Sequence, residues 1–257
     1  MKETYNILYL CSNLLDFDGT RGDVLYLMSR LKERGIQAQV TEHLLGEKID
    51  VTDFDFVYGG VCPQKYEDLY LKHLREDITG LKEYIEAEKP MLAVEQSFLF
   101  LMKELQMESA PTEPLLGVLP IVVKRNKHYT IGNVLMEVKE GEFTSKINGF
   151  INTRYYFALC EKAKAFKPFG DILLGIDYLW ERKYEGIVYK NFVGTQLRGP
   201  LLPRNYDLCD WFIEKITGEK LVPIPSELEE KAKAKLTADC ERFIETGEQK
   251  KEYVYIN

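Results

Sequence analysis

The first 110 residues alternate between short apolar runs and amphipathic stretches, and no other feature of the chain limits its fold as much. Tyr5 to Cys11 is a β-rich apolar run that reads as a buried strand. From Asp23 onward, Val24, Leu27, Met28 and Leu31 fall at i, i+3, i+4 and i+7, the stripe of a helix that Gly35 closes. Ile36 to Thr41 and Phe54 to Tyr58 read as strands, the second ending in Gly59-Gly60. A charged helical region is expected over about 64–88. A strand follows over Pro90 to Val94, and then a helix continuing through Leu105. Strands alternating with helices through short connections imply a parallel sheet covered on both faces.

After Pro111 the texture changes. Tyr129 to Val138, Phe150 to Leu159 and Gly186 to Leu197 alternate apolar and polar residues between Gly and Pro, which adds further strands to the same sheet. Asp207 to Ile216 reads as a helix, and Ser226 opens a last one with Glu229 at capping-box spacing. The expected fold is therefore α/β, with a mostly parallel, doubly wound sheet and helices on both faces. It spans residues 1–220, and residues 221–257 form a helical C-terminal extension of the same domain.

The 257 residues carry a formal net charge of −7, which argues against a nucleic-acid partner, since that needs a basic footprint. No apolar run reaches the roughly 20 residues of a membrane span, and Met1 to Thr4 lack a signal-peptide layout, so a cytoplasmic location is expected. The five cysteines (11, 62, 160, 209 and 240) are scattered, with no Cys-x-x-Cys pair. They read as reduced thiols, and neither a metal site nor a cofactor is expected. His43, His73 and His128 are the only histidines, and His73 and His128 are expected at the surface, which disfavours ordinary histidine catalysis.

Asp16-Phe17-Asp18-Gly19-Thr20 matches the first motif of haloacid-dehalogenase-type phosphatases, where paired aspartates attack phosphorus and hold magnesium. That chemistry needs the pair at the carboxyl end of the first strand, which here stops near Cys11. The acidic residues Asp171 and Asp177 are also spaced too widely for that fold's metal loop. A turn-rich loop before a helix is the simpler reading. Arg21-Gly22-Asp23 spells an adhesion tripeptide by chance.

The block Gly194-Thr-Gln-Leu-Arg198-Gly-Pro-Leu-Leu-Pro-Arg-Asn205 resembles class I glutamine amidotransferases of the cobyric acid synthase-like group. Within that group it is most like the small glutaminase subunits of lipid II isoglutaminyl synthases. Gly19-Thr-Arg-Gly-Asp23 resembles the loop before their first helix, Tyr58-Gly-Gly60 their glycine-rich oxyanion loop, and Leu92-Ala-Val-Glu-Gln-Ser97 their nucleophile elbow. The resemblance covers about residues 5–218. It implies a Cys nucleophile and a His base at positions 95 and 198, where this chain has Glu95 and Arg198. It also implies glycines where the chain has Val61, Gln96 and Ser97.

A carboxylate is a poor nucleophile toward an amide, and an arginine, with a pKa above about 12, cannot act as a base near neutrality. The family mechanism of glutamine hydrolysis is therefore not expected. Glu95 and Arg198 mark the degenerate catalytic positions, and Gly59, Gly60, Val61 and Gln96 the binding positions. Their opposite charges predict direct contact, with the guanidinium fork meeting the carboxylate through two hydrogen bonds. Cys62, next to the oxyanion loop, is the only alternative thiol, and no histidine falls near it in the resemblance.

Three functions stay open at this point. The first is a partner or regulator of an amide-forming, Mur-ligase-like synthetase. The second is an enzyme that uses Glu95 on a small polar ligand in the retained pocket, and the third is the phosphatase.

Overall fold

The computed structural model describes residues 2–107, 110–159, 163–175 and 183–246; Cys160, Asp177 and the last part of the C-terminal extension lie outside them. The N-terminal strand β1 (Tyr5–Leu10) is almost wholly buried, as its apolar run requires. It pairs in parallel with β2 (Ala38–Glu42) on one side and β4 (Phe56–Gly59) on the other. Next in the sheet, also parallel, come β6 (Met91–Val94) and β13 (Phe192–Thr195). Parallel neighbours need crossover connections. Helix α1 (Arg21–Glu33) supplies one, and α2 (Glu67–Glu76) with α3 (Leu81–Glu86) supplies another.

Helices lie on both faces, as side-chain alternation along β4 makes plain. Tyr58 donates to Asp23 of α1 at 2.7 Å, and Phe56 meets Phe212 edge to face at 5.5 Å. Phe212 belongs to α6 (Tyr206–Thr217), which follows the short helix α5 (Leu201–Arg204), so α1 and α6 cover that side. Gly59 points the opposite way, toward Ser97, whose hydroxyl lies 3.0 Å from the Tyr70 hydroxyl of α2. α1 ends as expected: Gly35 takes φ +69°, and the Ile36 N–H closes back on Leu31 O at 2.9 Å.

Beyond β13 the sheet turns antiparallel through β12 (Tyr184–Tyr189), β11 (Lys167–Leu174) and β9 (Leu119–Glu140). β9 forms a long hairpin with β10 (Phe143–Phe157). It also pairs in parallel with β7 (Met102–Met107), which carries β8 (Ala110–Pro114) at the edge. The architecture is α/β, with a parallel half that carries the crossovers and an antiparallel half built from hairpins.

Four expectations are corrected. The helix after β6 does not run through Leu105: α4 covers only Gln96–Leu99, and the chain re-enters the sheet at Met102. Phe98 to Met102 are all buried, and a continuous apolar run has no polar face by which periodicity can separate helix from strand. The helical region over 64–88 is broken by β5 (Ile78–Thr79), which pairs with β3 (Ile49–Asp50). Gly80 turns the chain between β5 and α3 with φ +77°, where a Cβ would lie 2.4 Å from Asp50 Oδ1.

His43 and His73 are only 2% and 4% exposed, whereas His128 is exposed as expected. His73 shares the buried stripe of α2 with Tyr70 and Leu74.

The last described helix, α7 (Glu227–Thr246), starts after Ser226 but without the expected capping box. The Ser226 hydroxyl accepts from Arg30 Nη2 at 2.8 Å and donates to Ile224 O at 3.1 Å. Cys240 of α7 packs against Leu135 and Leu174. No helix among the described residues is long and apolar enough to cross a membrane.

Candidate functional site

At the carboxyl end of β6 the chain turns sharply into α4, and Glu95 makes the turn with φ +50° and ψ −115°. A non-glycine residue persists there only when its surroundings over-determine it. They do: the Glu95 N–H donates to Thr195 O at 2.8 Å, and its carbonyl accepts from Phe98 N at 2.9 Å and Leu99 N at 2.7 Å. The side chain is fully buried.

Arg198 approaches from the loop after β13. Its Nε lies 3.5 Å from Glu95 Oε1, an ion-pair distance, yet neither atom has a hydrogen-bond partner. Its Nη1 donates instead to Asp18 Oδ2 at 2.9 Å. The two side chains are therefore together, but the expected double hydrogen bond is not made, because Asp18 competes for the guanidinium. The other carboxylate oxygen of Glu95 accepts from Thr153 Oγ1 at 3.3 Å. Burial pushes the Glu95 carboxyl up to about 7, against the opposing pull of Arg198 and Thr153.

In front of this buried pair lies a cavity of about 390 Å³, near the lower end of small-molecule sites. Arg198, Thr153, Gln96, Cys62, Glu67 and Tyr155 are among its lining residues, with Glu95 behind them. Gln96 holds the cavity floor: its Oε1 accepts from the Cys62 N–H at 3.3 Å, and its Nε2 donates to Glu67 at 2.9 Å. Glu67 also accepts from the Tyr155 hydroxyl at 2.6 Å, and burial raises its pKa.

Gly59 and Gly60 lie beside α4 because nothing larger fits. A Cβ on Gly59 would fall 2.7 Å from Ser97 Cβ, and one on Gly60 would fall 2.2 Å from Leu15 O. Val61 forms a bridge with Asp16. The structure thus gathers Glu95, Gln96, Arg198 and the 59–62 loop at one end of the sheet.

Sequence reasoning missed Glu67, Thr153 and Tyr155, and it placed Asp18 only in the phosphatase motif. Glu67 did leave a signal, since it stands at i relative to Tyr70, Leu71 and Leu74, a carboxylate on the buried stripe of α2. Thr153 and Tyr155 look like any alternating strand residues.

Cys62 makes a weak nucleophile. Its thiol donates to Pro63 O at 3.4 Å, and burial, reinforced by Glu67, pushes it up to about 12. The phosphatase geometry is also missing. β1 ends at Leu10, Asp16 pairs with Arg21 Nε at 3.0 Å and Asp18 pairs with Arg198, so neither aspartate faces an open cation site. Asp23 is buried, which removes the adhesion-tripeptide reading.

A scan against protein-family models found no match. Among solved structures, the chain resembles a glutamine amidotransferase from Thermotoga maritima (17% identity, 95% of this chain and 100% of that one, TM-score 0.50). It also resembles the glutaminase domain of a Trypanosoma brucei CTPS (11% identity, 85% and 96%, TM-score 0.51). These likenesses concern the fold alone. Among curated proteins, GatD, a subunit of the glutamine-hydrolysing lipid II isoglutaminyl synthase, matches from Streptococcus pneumoniae at 24% identity, over 79% of this chain and 77% of that one. The Staphylococcus aureus GatD is 30% identical over 229 residues, 88% of this chain and 90% of that one. With that identity across nearly the whole of both chains, this protein belongs to the GatD family of class I glutamine amidotransferase-like proteins.

Proposed function

We propose that the protein is a GatD-like subunit without glutaminase activity, which binds or regulates an amide-forming, Mur-ligase-like synthetase. One observation carries this reading. The sharp strand-to-helix turn after β6 is intact, but the residue on it is a buried carboxylate held against an arginine. A glutaminase elbow must present an ionisable thiol to the amide, beside a base that accepts and returns a proton. Glu95 lies behind Arg198 and Thr153, and a guanidinium offers only donors, with no nitrogen lone pair to take up a proton. The relatives are named as subunits of a synthase, which supports a partner for this chain.

The test is co-purification with a Mur-ligase-like synthetase from the same cell, together with glutamine-dependent ammonia release by the pair. Stable association without ammonia release is expected. Ammonia release abolished by Glu95→Ala or Cys62→Ala would overturn the proposal.

The raised carboxyl of Glu95, next to a cavity of about 390 Å³, supports a second reading. In it Glu95 exchanges a proton with a small polar ligand that displaces Arg198. A pH–rate profile with an inflection near 7, lost in Glu95→Gln, would favour that reading over the first.

A further inference from the structure

The carboxyl end of β1 carries a second cluster that the 95/198 site does not use. Cys11, His43 and His73 are widely separated in sequence, and the fold buries them together: one donor atom from each lies within 4.8 Å of the other two. Cys11 stands just beyond β1, His43 just beyond β2 and His73 on α2. Cys11 is wholly inaccessible, and the two histidines are nearly so.

The hydrogen bonds around the two imidazoles fix which nitrogen of each carries a lone pair. His43 Nε2 lies 2.8 Å from Glu47 O, an acceptor only, so Nε2 carries the proton and Nδ1 the lone pair. That Nδ1 lies 3.8 Å from Cys11 Sγ and also receives the Cys11 N–H at 3.3 Å. On His73, both Asp77 Oδ2 at 2.6 Å and the Gly46 N–H at 3.3 Å point at Nδ1; the shorter, charge-assisted contact to the carboxylate makes Nδ1 the donor to Asp77. Its Nε2 is buried and has no hydrogen-bond partner. An imidazole oriented by a carboxylate on one nitrogen, with the other left bare, as His73 is, is the arrangement found at metal ligands.

The spacing agrees. A tetrahedral ion with bonds of about 2.0–2.3 Å places its donors roughly 3.3–3.8 Å apart, and sets two imidazole centres about 5.2 Å apart. The Sγ–Nδ1 distance is 3.8 Å and the ring centres are 5.3 Å apart. A buried unpartnered nitrogen is costly without such an occupant.

We propose that Cys11, His43 and His73 form a structural site for a thiolate-preferring divalent cation of the zinc type. The ion would tie α2 to the ends of β1 and β2. One thiolate and two imidazoles suit zinc and do not suit magnesium or calcium. On binding, the Cys11 thiol loses its proton to solvent and the sulfur lone pair bonds the metal, so one proton is released per ion. Water fills any remaining position. The site is separate from the proposed loss of glutaminase activity, and neither depends on the other.

The test uses the full chain, tag removed and stripped with a chelator, then titrated with cobalt(II) and with zinc(II) against a chromophoric competitor. Cobalt should bind one to one, with a near-ultraviolet thiolate-to-cobalt band and the visible bands of a four-coordinate ion. Zinc should displace it with a Kd below about 1 μM and raise the melting temperature. Cys11→Ser should abolish the thiolate band, and His73→Gln should weaken zinc binding about 100-fold. Asp77→Asn, which changes only the orienting partner, should weaken it about tenfold. Cys240→Ser should change nothing. Absence of the thiolate band in the wild-type protein, or its survival in Cys11→Ser, would overturn the proposal. The wild-type spectrum decides the matter even if a variant fails to fold.

Discussion

Glu95 and Asp23 are both fully buried carboxylates near the same end of the sheet, and the protein treats them differently. Asp23 has a short donor on each oxygen: the Tyr58 hydroxyl at 2.7 Å and the Leu202 N–H at 2.6 Å. Glu95 has one long donor, Thr153, on one oxygen and an arginine without a hydrogen bond on the other. Burial raises both, Asp23 to about 6 and Glu95 to about 7. The contrast is one of purpose. Asp23 fastens α1 to β4 and to the Leu201–Arg204 turn, and satisfied polar groups of this kind define a unique packing. Glu95 is a charge held at a strained turn, with its hydrogen bonding left incomplete.

The largest effect should come from breaking the satisfied carboxylate. Asp23→Ala strands the Tyr58 hydroxyl and the Leu202 N–H in the core and should cost about 3–4 kcal/mol in urea denaturation. Asp23→Asn keeps one acceptor and should cost roughly half as much. If Asp23→Ala were no more damaging than Glu95→Gln, the distinction between the two acids would fail.

Next in size is a pH effect specific to Glu95. Its folded pKa of about 7 lies above the value near 4.5 of the unfolded chain. The native state therefore binds the proton more tightly, and its contribution is full below about pH 4.5 and is lost as pH rises through 7. Between pH 8 and pH 5.5 the wild-type protein should gain about 2 kcal/mol relative to Glu95→Gln, in which this slope is absent. Arg198→Leu should be most destabilising at pH 8 and milder at pH 5.5, where Glu95 becomes neutral. Parallel pH curves for wild type and Glu95→Gln would show that burial leaves the Glu95 carboxyl unshifted.

Much of this arrangement was legible in the residues themselves. The stripe of Val24, Leu27 and Leu31, the stop at Gly35 and the run Met91–Val94 each settle an element by local chemistry. The resemblance at Gly194 to Asn205 then places Arg198 opposite Glu95. The rest depends on contacts distant in sequence. Nothing near Arg198 says that Asp18, at the other end of the chain, will take its Nη1. Nothing in the spacing of Cys11, His43 and His73 suggests that two strand ends and a helix will bring them within 4.8 Å. The continuous apolar run from Phe98 to Met102 has no period to read, which is why the switch from α4 to β7 was missed. Glu67 is the instructive omission, since a carboxylate on an otherwise buried helical stripe marks a polar site even when its partner is unknown.

The smallest effect should follow from rebuilding the dyad. Glu95→Cys with Arg198→His restores the two residue types that amide hydrolysis needs, yet ammonia release should remain at background. The reason lies in the neighbours. An oxyanion forming on the amide needs backbone N–H donors aimed at it, worth about 3 kcal/mol each in such reactions. Here the Cys62 N–H already donates to Gln96 Oε1 at 3.3 Å, so Gln96 occupies a donor beside Gly59-Gly60. Ser97 adds a second lock, donating to Gly60 O at 2.6 Å and fixing the loop against α4. Gln96→Gly and Ser97→Gly added to the double variant should release both contacts. A measurable rise in ammonia release in the quadruple variant, and not in the double, would assign the remaining block to these two side chains. Activity in the double variant alone would show that the loop already presents its donors to the substrate, and that only the identities of residues 95 and 198 stand between this chain and hydrolysis.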